Sequence, residues 1–329
     1  MIEQKLEIAI ITYNRAAALR RTIGQLAAGP FRGCKLRILD NCSTDETPRV
    51  CEEAAALLPN VLVVRHPKNL GASPNYLRAV ELSTADYTWV MGDDDNLDFS
   101  DCQDVIDAIE TGRFDLISLG SMAQWPEERG VTATVRELVE RGTRYFSTFT
   151  FITGVIFRTE LFDSRCVSEG YRNAANLYPH FPFVVKAVEE NFVTYASRHW
   201  LVTRQNVEHN HLSYLRWLRH WVLSCAVIED KQLRKKAIYD FSEITLHPQV
   251  LIFAIARDGV WGRQMSWKDI FQMFFVFVGE QKVIWLLHWP LLAVPTRAYR
   301  RIREWHWKRK ARLTGEAPPD RTHYDPLRL

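Results

Sequence analysis

Between residues 6 and 120 five apolar runs alternate with four helical patterns, and no other feature restricts the fold as tightly. LEIAIIT (6–12) reads as a buried strand, and KLRILD (35–40), VLVVRH (61–66), YTWVM (87–91) and FDLISLG (114–120) as four further strands. Apolar residues at helical spacing fill 15–28, 46–58, 73–82 and 101–110. Strands and amphipathic helices in alternation predict βαβ units and a mostly parallel, doubly covered sheet. In such a sheet ligands bind beyond the carboxyl ends of the strands. The residues that follow each run therefore matter most: 12–15, 40–45 and 93–95.

The last of these groups lies in VMGDDDNLDF (90–99), where Asp93, Asp94, Asp95 and Asp98 crowd together after a buried strand. In an extended segment residues i and i+2 point the same way, so Asp93 and Asp95 project together and Asp94 turns aside. Two adjacent carboxylates repel until one takes up a proton or a cation arrives. Mg²⁺ or Mn²⁺ is held by one or two carboxylates together with substrate phosphates. The bland alternative is a solvated acidic turn, and for Asp94 and Asp98 capping or solvent exposure is the expectation.

Four ordered motifs, IITYNR (10–15), ILDNCSTDET (38–47), NLGAS (69–73) and VMGDDDN (90–96), resemble the family 2 glycosyltransferases, inverting enzymes of the GT-A fold. The resemblance is strong over 6–120 and weaker to about 211. Within the family it is most similar to bacterial surface-polysaccharide transferases of the abequosyltransferase-like kind. It implies that Thr12, Tyr13 and Arg15 line a nucleotide pocket, that Asn14 shapes the turn, and that Asp40 accepts a hydrogen bond from the base. Asp45 would fix the loop at that edge. Asn41 stands where a second carboxylate is frequent, which leaves the base open. Asn69, Gly71, Asp93 and Asp94 complete the implied nucleotide-binding set. Asp93 would contact the ribose or the water shell of the metal. Asp95, counted with the catalytic residues, would bind the metal that bridges the diphosphate. Thr153 and Gly154, in ITGVIF, match a position where glycine lets the acceptor approach the backbone.

The resemblance weakens at the base that takes the acceptor proton. The Glu-Asp pair usual in the family is absent from GYRNAANLYPHFPFVVKAVEE (170–190). His180, at the start of an expected helix over 179–190, is the nearest candidate, with Glu169 and Asp163 in reserve. A histidine that hydrogen-bonds the ligand or caps the helix is the plainer reading. His209 or His211, in RQNVEHNHL (204–212), could complete a metal site, though loop histidines at this spacing are more often surface residues.

The net charge of +3 hides an asymmetry, since 20 Lys/Arg face 11 Asp/Glu from Leu212 onward. Eight of the eleven Trp lie there too. The segment 285–313 joins aromatic residues to a basic run, and 283–296 is only about 14 apolar residues with two prolines. A spanning helix needs about 20. These features predict an in-plane segment on an anionic membrane surface, with packing in a core or an oligomer interface as alternatives. No nucleic-acid recognition module accompanies the basic run.

The expected organisation is a GT-A catalytic domain (1–211), a mainly helical membrane-associating domain (212–312) and a loose tail (313–329). Six cysteines without CxxC spacing and the absence of a leader-like N-terminus point to the cytoplasm, on the inner face of the membrane. The predicted activity moves a sugar from a nucleoside-diphosphate donor to a lipid-linked glycan in surface-polysaccharide or O-antigen assembly, with Mn²⁺ or Mg²⁺. One rival is a sugar-nucleotide pyrophosphorylase, but TYNRAAALRR (12–21) lacks the required Gly-rich phosphate loop. The other is a non-catalytic nucleotide-sugar or membrane-binding relic of the same fold.

Overall fold

A computed structural model describes residues 1–120, 129–142, 145–149, 151–175, 177–203, 220–221, 223–240 and five residues between 301 and 312. The chain divides into two compact units, Met1–Val207 and Glu208–Leu329. The expectations for 204–219, which contain His209 and His211, for 285–300 and for the tail fall outside the described residues.

The first unit begins with α1 (Ile2–Lys5), β1 (Leu6–Thr12), α2 (Ala16–Ala28), β2 (Lys35–Asp40), α3 (Thr47–Leu57) and β3 (Val61–Arg65). It continues through α4 (Ala72–Leu82), β4 (Tyr87–Met91), β5 (Asn96–Leu97), α5 (Gln103–Thr111) and β6 (Leu116–Ser118). Then come β7 (Thr132–Thr134), α6 (Val135–Glu140), α7 (Tyr145–Phe149), β8 (Val155–Arg158), α8 (Ser164–Arg172), α9 (Phe181–Glu189), β9 (Val193–Ala196) and β10 (Val202–Thr203).

Eight strands form one sheet in the order β3-β2-β1-β4-β8-β6-β9-β7, and β10 pairs with β5. Strands β1 to β4 are parallel, as the alternation predicts. β8 runs antiparallel to both β4 and β6, and β7 antiparallel to β9. The chain leaves β1 toward β2 and β3, then returns to place β4 on the other side of β1. That reversal opens a crevice between β1 and β4 at their carboxyl ends.

Side-chain alternation sorts the two faces of the sheet. Leu6, Ile8 and Ile10 of β1 share a core with Leu36 and Ile38 of β2 and with Tyr87, Trp89 and Met91 of β4. Leu19, Ile23 and Leu26 of α2, Val50 and Ala54 of α3, and Val105 and Ile109 of α5 close over it. The Phe31 ring meets Trp89 edge-on at 5.7 Å. On the opposite face α4 packs against β1, β2 and β4, and α8 and α9 extend that layer.

One charged network is buried at the amino end of the strands. Glu7, fully buried, accepts from Arg37 Nε at 2.6 Å, lies 2.9 Å from Lys35 Nζ, and caps the Thr84 amide at 3.1 Å. Burial pushes its pKa up, but the bonds from Arg37, Lys35 and Thr84 outweigh it and hold the carboxyl below its ordinary value. All six cysteines are free thiols, five of them buried.

In the second unit α10 (Lys231–Asp240) is described, and the buried Trp221 indole donates to the Ala237 carbonyl at 3.0 Å. Trp305 is 59% exposed, with the Arg309 guanidinium 5.4 Å from its ring centre. Among the described residues no helix is long and apolar enough to cross a membrane.

Candidate functional site

The acidic loop inherits its geometry from β4. Tyr87, Trp89 and Met91 face the α2 side of the sheet, so two residues further on Asp93 does as well. Burial along the loop alternates as the sequence implies: Asp93 is 3% exposed and Asp95 7%, with Asp94 between them half-buried. Asp98 lies beyond, exposed, and its carboxylate caps the Ser100 amide at 2.9 Å.

Around Asp93 the structure gathers residues from three elements. Thr12, the last residue of β1, donates its hydroxyl to Asp93 Oδ2 at 2.6 Å. Arg15 Nη1 lies 3.3 Å from Asp93 Oδ1 and also bonds to Asp94. From α2, Thr22 Oγ1 donates to the Asp93 carbonyl and Arg21 Nη2 to the Asp94 carbonyl, both at 3.0 Å. On the other side the Gly92 amide donates to Thr153 Oγ1 at 3.2 Å, and Trp89 Nε1 donates to the Thr153 carbonyl at 2.8 Å. Burial pushes the Asp93 carboxyl up to about 6, against the pull of Thr12 and Arg15.

The second edge of the crevice is built from the turns after β1 and β2. Asn14 adopts φ +52°, which turns its carboxamide to accept from the Thr44 amide at 2.7 Å. Asp40 Oδ1 accepts from the Ser43 amide at 2.9 Å, and Arg65 Nη1 lies 3.2 Å from Asp40 Oδ2. Asp45 reaches two helix starts at once: the Ala16 amide at the head of α2 (3.3 Å) and the Thr47 amide at the head of α3 (3.0 Å). Burial raises its pKa, and those bonds more than reverse the shift, leaving it low. Tyr13 stands 42% exposed at the mouth.

Asn41 is spent inside the protein. Its Nδ2 donates to Asn69 Oδ1 (2.9 Å) and to the Gly71 carbonyl (3.1 Å), and its Oδ1 accepts from the Leu70 amide (2.9 Å). Asn41 and Asn69 thus fold the 69–71 loop, and Gly71 supplies the φ of +88° that the turn into α4 requires. Gly154 is also needed for packing, since a Cβ there would lie 2.8 Å from the Gly120 carbonyl oxygen and 2.7 Å from the Phe151 ring.

The proposed bases are not drawn into this cluster. His180 is 4% exposed at the head of α9, on the face opposite Asp93, with its ring 5.3 Å from Tyr76. It borders a cavity of about 20 Å³ lined also by Tyr76, Tyr145, Phe149 and Ile152, room for one water. Asp163 caps α8 through the Cys166 amide (2.9 Å) and pairs with Lys186 (2.7 Å), which holds its pKa low. Glu169 pairs with Arg172.

Residues 7–168 match the sequence model of glycosyl transferase family 2. Over this stretch, just under half of its length, the chain is similar to that family. The matched region spans β1 through most of α8 and so contains the whole cluster around Asp93. No curated protein sequence gives a significant match. Solved structures extend the likeness beyond that stretch. S. aureus TarS 1-349 superposes with a TM-score of 0.55 at 16% identity, over 95% of this chain and 92% of that one. The same TarS fragment in complex with UDP-GlcNAc gives 0.56 at 17% identity, with the same coverage. Mannosyltransferase PcManGT from Pyrobaculum calidifontis, in complex with GDP-Man and Mn²⁺, gives 0.54 at 14% identity over 90% and 84% of the two chains. At these identities the likeness establishes the GT-A fold and nothing narrower.

Arg21, Thr22 and Arg65 belong to the cluster but lie outside the four motifs, and Ser43 lies inside one of them without having been singled out. The α2 pair had a readable signal: Thr22 follows Arg15 by seven residues, two helical turns, and so shares its face.

Proposed function

We propose that this chain transfers a sugar, with inversion, from a nucleoside-diphosphate sugar to a lipid-linked, polyprenyl-diphosphate glycan in surface-polysaccharide or O-antigen assembly. One observation carries the reading. Two buried carboxylates, Asp93 and Asp95, stand at the carboxyl end of β4 in the crevice beside β1, where an α/β sheet of this order binds its ligand. TarS binds UDP and UDP-GlcNAc, and the Pyrobaculum enzyme GDP-Man, which supports a nucleotide sugar as the donor here.

The donor set suits Mg²⁺ or Mn²⁺. Its groups are hard carboxylate oxygens, and among the described residues no three potential ligands converge into a complete cage. That fits an ion held by one or two carboxylates and completed by phosphate. Asp95, with Asp93 beside it, would hold it. Such an ion supplies Lewis-acid neutralisation of the departing diphosphate. Thr12 and Thr153 keep the loop at a fixed depth, Arg15 and Arg21 lend positive charge, and Asp40, buried behind the loop after β2, takes the base. The sugar is thereby oriented for in-line attack on its exposed face.

Trp305 and Arg309 support attachment of the second unit to the cytoplasmic face of the membrane, since an exposed indole beside a guanidinium suits the headgroup layer. A thermal-shift screen of UDP, GDP, CDP and dTDP, with and without Mn²⁺, tests the reading. At least one should stabilise the chain more with Mn²⁺ than without it, and Asp95→Ala should remove that difference. Equal, metal-independent stabilisation of both proteins would overturn the metal assignment, and no response to any nucleotide would overturn the function.

A further inference from the structure

The acidic loop already contains a cation, and it comes from the chain itself. Arg15 Nη1 lies 3.3 Å from Asp93 Oδ1 and bonds to Asp94, and the Arg15 side chain is only about one-third exposed. The guanidinium is anchored from behind, because the Arg15 amide donates to Thr47 Oγ1 at 3.1 Å and the residue opens α2. The loop it enters is folded tightly. The point where a Cβ on Gly92 would stand is 3.0 Å from Asp94 Oδ1 and 4.0 Å from Asp95 Oδ2. Arg15 therefore sits within the same small group of carboxylates that would receive a divalent ion.

We propose that Arg15 is a resident counter-ion that keeps bare divalent metal out of the acidic loop and is released from it by the diphosphate of the donor. The inference rests on the functional reading above and adds an order of binding to it. A guanidinium and a divalent ion held by neighbouring carboxylates repel each other, and within a half-buried loop that repulsion is weakly screened. A diphosphate changes the balance. It brings charge that both cations can share, and its planar oxygen pairs suit the fork of a guanidinium. Arg15 then turns from Asp93 and Asp94 to phosphate, and the freed carboxylates accept the ion. Metal and nucleotide binding are coupled through one side chain, and the coupling is reciprocal.

The test measures Mn²⁺ binding by electron paramagnetic resonance, on the full chain, with and without each of UDP, GDP, CDP and dTDP. A titration without protein corrects for Mn²⁺ held by the nucleotide. In the wild type the nucleotide that binds should tighten Mn²⁺ by about tenfold or more, within the usual range of such coupling. Arg15→Gln should bind Mn²⁺ alone about five- to tenfold more tightly than wild type and lose most of the coupling. Arg15→Lys keeps the charge but not the fork, so it should still exclude bare Mn²⁺ while binding nucleotide more weakly. Circular dichroism confirms that both variants fold. If one variant fails to fold, the other still decides, because each makes its own prediction for bare Mn²⁺. Wild-type and Arg15→Gln affinities for bare Mn²⁺ that agree within about twofold would overturn the inference and leave the functional reading intact. Failure of every nucleotide to bind any of the proteins would instead overturn the functional reading.

Discussion

Replacing Glu7 with Met should unlatch the amino end of the sheet without touching the crevice. The carboxylate is fully buried and receives Arg37 at 2.6 Å, Lys35 at 2.9 Å and the Thr84 amide at 3.1 Å. Removing one partner of a buried ion pair costs about 3–5 kcal/mol, because the other charge stays in the interior unpaired. Arg37 is in that position, with a side chain only 9% exposed. Lys35 is 28% exposed and can turn toward water, so its share is below about 1 kcal/mol. The expected loss is about 4 kcal/mol, or roughly a thousandfold in the local opening constant. Hydrogen exchange followed by mass spectrometry on peptides from β1 and β2 reads that constant directly. The double variant Glu7→Met, Arg37→Met should recover most of the loss, since an apolar pair of similar volume is often neutral. Glu7 precedes Thr12 by five residues, about 17 Å along a strand, so nucleotide affinity should be unchanged in both. A single variant that loses less than about 1 kcal/mol, or a double variant as damaged as the single, would refute the reasoning.

Three further outcomes are expected. Asp163 has a carboxyl held low by Lys186, so its stabilisation is complete above the ordinary carboxylate range and fades as pH falls through the depressed value. Asp163→Asn should therefore flatten the acid limb of a stability-versus-pH curve measured by urea unfolding, while an unchanged limb would contradict the pairing. Gly154→Ala should destabilise by about 1–3 kcal/mol in thermal unfolding, because the added methyl meets the Gly120 carbonyl. Asp45→Ala should remove caps from α2 and α3, lowering stability by roughly 1–2 kcal/mol and weakening nucleotide binding in calorimetry.

The strands and helices of the first 120 residues were legible because burial writes apolar runs into β1, β2 and β4, and amphipathic helices write their own period; β3 is the exception, an apolar edge strand whose Leu62 and Val63 are exposed. Strand direction was not, since an apolar run such as VIFR in β8 reads the same parallel or antiparallel. The short ribbon of β5 and β10 is two residues long and carries no period at all. At the site, burial alternates along the loop, with Asp93 and Asp95 buried and Asp94 half-buried between them. The expectation that Asp94 merely caps or faces solvent missed Arg15, its partner 79 residues away. A pairing across that separation is made by the fold, and nothing local in YNR announces it. His180 shows the same limit: its place at a helix start was readable, but the face of the sheet on which that helix would lie was not.

The reversed direction of β8 has a consequence for how such a chain can diversify. β1, β2 and β4 deliver their side chains to the crevice from the last strand residue onward, through turns fixed by helices on both sides. β8 enters from the crevice end, so Thr153 arrives before its strand begins. The segment ahead of β8 can therefore gain or lose residues beside the acidic loop without shifting any strand register, because loop length is cheap in free energy. On the proposed function, new neighbours for the transferred group can be tried there, while the parallel half that would hold the nucleotide stays as it is.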